Sequence, residues 1–177
     1  MKAVFAAIVA AGLAWLALSG PASAQAPGGA EARLKSLNIT LPADAPPAAN
    51  FVNSVQSGKL LFLSGNTGGP AWVGKGRLGK DLTVEQGREA ARQAGLIMLT
   101  KIRTALGSLD RVKRVVKVLG MVNSAEGFRD QPLVVNGFSD LMVEVFGDKG
   151  RHARSTVGVS ALPADAAVEV EGMFEVI

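Results

Sequence analysis

From Val168 to Val176 the chain alternates with a period of two. Val168, Val170, Gly172, Phe174 and Val176 share one face, and Glu169, Glu171, Met173 and Glu175 share the other. Such a segment reads as a strand whose apolar face packs on helices. Its carboxylate face must meet solvent, a partner subunit or a ligand. The run starting at Arg151 reads as another strand, and Leu162-Pro163 marks a turn between the two, so the chain is expected to end in a hairpin. Arg154 stands near one end of that hairpin, with Glu169 and Glu171 on the returning strand.

The rest of the chain follows the same logic. Lys59 to Ser64 is a short buried strand after a Ser57-Gly58 turn, and Gly65 to Lys80 is a glycine-rich loop carrying Trp72. Thr83-Val-Glu-Gln86 has the form of a capping box. Beyond it Ala91, Ala94, Met98, Ile102 and Ala105 recur at steps of three and four, the face of a helix that ends at Gly107. Val112 to Val122, rich in valine, reads as a long strand. After a turn from Ser124 to Asp130, Pro132 suits the first turn of a second helix capped by Asp130. That helix is expected to bury Val135, Phe138, Met142 and Val145 and to stop at Gly147. With a short helix from Glu31 to Leu37, the order of elements predicts an α+β domain with its helices on one side of a sheet.

The first residues do not belong to that domain. Lys2 followed by an apolar run to Gly20 and the small residues Ala22-Ser23-Ala24 form a signal peptide over residues 1–24, with cleavage expected between Ala24 and Gln25. An uncleaved anchor is the competing reading, but the cleavage site and the Pro/Gly-rich segment after it favour removal. Residues 25–30 are then a flexible mature N-terminus, residues 31–177 the folded domain, and the protein exported, to the periplasm, with no stable membrane insertion.

Composition narrows the chemistry. The absence of cysteine excludes disulfides, thiolate catalysis and Cys-based zinc sites, and a single histidine, His152, argues against a His-rich metal site. The formal charge of +4 is spread among acids and makes no basic stripe, so nucleic acid is not expected as a partner. The glycines match neither a P-loop nor a dinucleotide fingerprint.

Several residues are chemically interesting. Arg154 offers a permanently charged planar fork for a carboxylate, although an arginine near a strand start is more often solvated or ion-paired. Glu169 and Glu171 share one sheet face and are able to orient or activate water; a solvated acidic row is an equal reading for Glu171 and Glu175. Asn136 can bond a substrate or a neighbouring backbone. Ser64-Gly65 closes a strand where glycine lets backbone approach a ligand. Nothing places a base beside Ser64, so a serine-hydrolase triad is unsupported.

The run Ala153-Arg-Ser-Thr-Val-Gly-Val, followed by Leu162-Pro and Val168-Glu-Val-Glu171, resembles the signature of the RidA/YjgF family, also described as L-PSP endoribonuclease-like. Phe51-Val-Asn with Gly58 to Gly65, and Val135-Asn136, match in order, and the leader from Leu34 to Asn50 is similar to the chorismate-mutase-like branch. The resemblance implies a chorismate-mutase-like (RidA-type) α+β fold, two helices packed on one face of the sheet, and a homotrimer forming a central barrel with clefts between subunits. It implies a hydrolytic deaminase of reactive enamines and imines that gives a 2-oxoacid and ammonia without a cofactor. Arg154 would bind the substrate carboxylate and Glu169 would position water, with Phe51, Ser64, Gly65, Asn136 and Thr156 lining the cleft. Phe51 and Thr156 stand where relatives commonly carry tyrosine and cysteine. The alternative is an exported, non-catalytic trimer that binds small carboxylic acids. Ribonuclease activity is disfavoured by the low aromatic content, and chorismate mutase activity is an analogy of fold alone.

Overall fold

The computed structural model describes residues 28–69 and 75–177. The expected signal peptide and Trp72 lie outside the described residues. The elements are α1 (Ala30–Ser36), β1 (Ser54–Ser57), β2 (Leu60–Asn66), α2 (Val84–Leu106), β3 (Val112–Asn123), α3 (Gln131–Phe146), β4 (Ala153–Val159) and β5 (Val168–Val176). The strands form a five-stranded sheet in the order β1-β2-β5-β3-β4, with only β3 and β4 parallel. Helices α2 and α3 pack on each other and cover one face.

Local chemistry explains the helices. Thr83 Oγ1 accepts from the Gln86 N–H at 3.3 Å and the Gln86 side chain accepts from the Thr83 N–H at 2.9 Å, so each satisfies a donor the helix start leaves open. Gly107 ends α2 at φ 81°, a left-handed conformation that costs glycine little. Ala91, Ala94, Met98 and Ile102 are fully buried as expected, but Ala105 is exposed and Leu106 buried instead. A further step of four from Ile102 keeps the stripe on the core. In α3, Val135, Phe138, Met142 and Val145 are all fully buried. Asp130 precedes α3 as expected, but its side chain makes no capping bond and leaves the start to backbone and Pro132. The crossing of the helices is close: a Cβ on Gly137 would collide with the Arg88 carbonyl oxygen.

The expected C-terminal hairpin does not form. A parallel neighbour needs a long crossover, and α3 supplies it, bringing β4 back on the outer side of β3. β5 then lies on the other side of β3, between β3 and β2. The side chains show why each strand takes its place. Val168, Val170, Phe174 and Val176 are at most 1% exposed, which suits a central strand, whereas β4 carries Arg154, Ser155 and Thr156 and suits an edge. The connection 160–167 passes over the end of β3, where buried Asn123 holds it: its N–H donates to Ala167 O at 2.9 Å and its Nδ2 to Ala166 O at 3.2 Å. The end of the glycine-rich loop joins the same place. Leu78, fully buried, donates to Asn123 O at 2.8 Å and accepts from Ala125 N.

Among the described residues no helix lies on the sheet's second face. Val55, Leu60, Phe62 and Val157, all exposed, share it with Leu119 and Met173. Exposed apolar residues grouped on one sheet face, between the glutamates of β5, make it a candidate interaction surface. No helix among the described residues is long and apolar enough to cross a membrane.

Candidate functional site

Arg154 sits on edge strand β4, opposite Val118 of β3. Val118 is fully buried beneath the helices, and Arg154 accordingly points to the helix side, where α3 brackets it. Nη1 donates to Asn136 Oδ1 and to Ser139 Oγ, both at 2.9 Å, and Nη2 donates to the Pro132 carbonyl at 3.3 Å. Guanidinium has five N–H donors. The Nε–H and one Nη2–H therefore have no partner among the described residues, enough for a carboxylate. The bracket follows from sequence spacing: Asn136 and Ser139 are three apart and lie on one face of α3, and Pro132 leads the same face one turn earlier. Thr156, two residues along β4, shares this side of the sheet, and its hydroxyl is buried with no partner among the described residues.

Glu169 lies on the other face. It pairs with Met121 across β5 and β3, and its carboxylate covers Gly65 of β2: a Cβ at residue 65 would collide with Glu169 Oε1. Gly65 is therefore the residue that lets the carboxylate reach over β2. Ser64 is tied to the segment before β1, its Oγ donating to Val52 O at 2.7 Å and its N–H to Asn53 O at 3.0 Å. Phe51, half exposed, stands next to that tie. The Glu169 carboxyl is held above its ordinary value, first by burial and then by the negative charge of Glu171. Glu175 behaves differently: a 2.6 Å bond from Lys113 holds its carboxyl below the usual range. Glu171 lines a cavity of ≈ 340 Å³ on the same face with Phe62, Lys117 and Met173.

The residues singled out in the sequence thus fall into two groups. Asn136, Arg154 and Thr156 come together between α3 and β4. Phe51, Ser64, Gly65 and Glu169 come together between the β1 approach, β2 and β5. Within one chain the groups do not meet: they occupy opposite faces, and with strands about 4.8 Å apart β4 and β2 are roughly 14 Å from each other. Sequence reasoning missed Ser139 and His152. Ser139 was findable from its spacing to Asn136; the role of His152 depends on a tertiary contact, Nε2 to Ser139 Oγ at 3.1 Å. Among the described residues no group of His, Cys, Asp and Glu is arranged to hold a metal ion.

Comparison with known proteins agrees with this architecture. The family model described as "YjgF/chorismate_mutase-like, putative endoribonuclease" matches residues 31–175. Protein TCP17 of Trypanosoma cruzi is 48% identical over 158 residues, covering 86% of this chain and 98% of its own. The crystal structure of Atu1372 from Agrobacterium tumefaciens, a protein of unknown function, is 37% identical with a TM-score of 0.75 over 83% of this chain and 91% of that one. The crystal structure of a "putative endoribonuclease" from Shewanella oneidensis is 29% identical with a TM-score of 0.80 over 84% of this chain and 100% of that one. The α+β, chorismate-mutase-like fold is therefore the one expected from the sequence, and the chain belongs to the RidA/YjgF, chorismate-mutase-like family.

Proposed function

We propose that the protein hydrolyses reactive enamines or imines that bear a carboxylate, giving a 2-oxoacid and ammonia, in clefts between neighbouring copies of a homotrimer. The observation that carries this reading is the division of the candidate residues. Arg154 is braced by α3 at one sheet edge, Glu169 stands over Gly65 on the uncovered face, and a second copy packed on that face brings the two kinds of group together. The exposed apolar residues of that face, Phe62 and Val157 among them, give such packing its area.

In the assembled cleft the two open donors of Arg154 hold the substrate carboxylate. This fixes the imine carbon, already electrophilic, and orientation supplies most of the remaining rate. Glu169 as a carboxylate takes a proton from water while the water oxygen bonds to the imine carbon and the C=N π pair moves to nitrogen, which is protonated. Glu169 returns the water proton to that nitrogen, then relays the carbinolamine hydroxyl proton to the amine; the C–N bond breaks as the carbonyl forms, ammonia leaves, and Glu169 is again a carboxylate. A carboxyl held above its ordinary value is a better proton acceptor when ionised. With the leader expected from the sequence, this activity belongs to an exported protein.

The Arg154 bracket is complete within one chain, and that favours a second reading: a trimer that binds small carboxylic acids without turnover. An assay separates the two. Mature protein is given 2-aminoacrylate generated in situ, and pyruvate and ammonia are followed. Deaminase function predicts release above buffer, lost in Arg154→Ala. Rates equal to buffer, with pyruvate still raising Tm in the wild type and not in the variant, would establish the binding reading instead.

A further inference from the structure

Arg154 does not end its own network. Ser139 Oγ, which accepts from Arg154 Nη1 at 2.9 Å, also lies 3.1 Å from His152 Nε2. On the far side of the ring, His152 Nδ1 is 2.7 Å from the Gly150 carbonyl oxygen. The two ends of this chain each act in one way only. A guanidinium can only donate and a carbonyl can only accept. Nδ1 therefore carries a hydrogen, and the neutral ring presents a lone pair at Nε2. The Ser139 hydroxyl hydrogen points to that lone pair, which turns the serine's own lone pairs toward Arg154.

We infer that His152, as the neutral Nδ1-protonated tautomer, is a positioning residue that orients Arg154 through Ser139. The inference deepens the carboxylate-binding reading of Arg154 and rests on it for its functional meaning, though its geometry stands without it. Phe138 fixes the plane of the ring, edge to face with centroids 6.2 Å apart and planes at 79°. Arg154, Ser139 and His152 line one surface cavity of ≈ 380 Å³. The charged groups around the ring are Arg154 from β4, Asp140 from α3, and Arg151 and Asp148 from the turn between them; Asp140 bonds Arg88 of α2 and Asp148 bonds Arg151. Burial, and then the Arg154 charge, hold the ring below its ordinary titration range, so it stays neutral where the network needs a lone pair.

Bracing of this kind keeps the two open donors of Arg154 aimed outward. Without the hydroxyl, Nη1 loses an acceptor and the guanidinium gains freedom that a carboxylate must remove on binding. Loss of one bond to a charged group corresponds to about a tenfold change in affinity.

His152 is the single histidine of the chain, so tag-free protein labelled with 15N in histidine gives one pair of ring resonances. At pH above the ordinary histidine range we expect Nδ1 to be protonated and Nε2 to be pyridine-like. The Gly150 carbonyl sets this tautomer, so it should persist in Arg154→Ala, whereas the Nε2 resonance should shift in Ser139→Ala, where its hydrogen bond is lost. An Nε2-protonated ring in the wild type, or an Nε2 resonance unchanged by Ser139→Ala, overturns the inference whatever the protein binds. Pyruvate titration by calorimetry is the second arm. Ser139→Ala and His152→Phe should weaken binding about tenfold, and Ser139→Thr should restore it. Wild-type affinity in both disruptive variants also overturns the inference. A wild type that binds no pyruvate, with the expected tautomer intact, overturns the carboxylate reading and leaves the positioning pair standing.

Discussion

The two faces of the sheet are made differently and hold different halves of the candidate chemistry. The helix face is closed: Val115, Val118, Val122 and Phe174 are fully buried against α2 and α3, and its one prominent charge, Arg154, is bracketed by side-chain and carbonyl oxygens of α3. The other face carries exposed Phe62 and Val157, the glutamates of β5, and Glu169 with its raised carboxyl. On the proposed reading, the cation that binds is held rigidly by the fold, and the carboxylate that exchanges protons is left on a face that a second copy would finish. The difference teaches that, on that reading, the chain is a complete fold carrying half a site on either side.

The largest effects should come from the closed face. Phe138→Ala removes a fully buried ring from α3 and should cost about 3–5 kcal/mol in denaturant unfolding. Phe62→Asp, on the open face, should leave the unfolding of the chain nearly unchanged while shifting the mass in light scattering toward the monomer. A large loss of stability in that variant would break the comparison.

Next come the two charged groups. Arg154→Ala should weaken pyruvate binding on the order of 100-fold, about 3 kcal/mol, because two charge-assisted bonds are lost. Glu169→Gln should keep pyruvate affinity within a few fold and remove turnover. Matching losses of binding in both variants would mean that the faces do not divide the work as described.

Thr83→Ala deletes the cap of α2 and should lower stability by about 1 kcal/mol. The smallest effect is electrostatic. The folded chain raises the Glu169 carboxyl above its unfolded value, so ionisation costs stability as pH rises through the raised value, and the cost is absent below the unfolded value. Glu169→Gln should therefore unfold at a slightly higher temperature than wild type on the alkaline side, and the gap should close in acid.

The helices were legible because their signals are local. The Thr83-Gln86 box, the stripe through Met98 and Ile102, and the apolar positions of α3 each depend on residues within a few turns. The alternation of β5 likewise told which residues share a face, and the structure keeps that division. It did not tell which strands are neighbours. Pairing of β4 with β3 and of β5 with β2 depends on the α3 crossover and on Asn123 gripping the connection 160–167, and neither leaves a periodic trace. That is why a proline-marked turn looked like a hairpin. Arg154 and Glu169 were found through the family signature, but their opposite faces follow only from strand order. Ser139 was within reach of helix spacing, whereas His152 needed the packing of the turn after α3 against the helix itself.

The central claim is that a working site takes Arg154 from one copy and Glu169 from its neighbour. Co-expression of Arg154→Ala and Glu169→Gln chains, with mixed trimers isolated by two different tags, tests it directly. Each variant alone should be inactive toward 2-aminoacrylate. In the isolated mixed trimers, about a third of the interfaces should combine an intact Arg154 with an intact Glu169, and activity should return to that level. Mixed trimers as inactive as either parent would contradict the account.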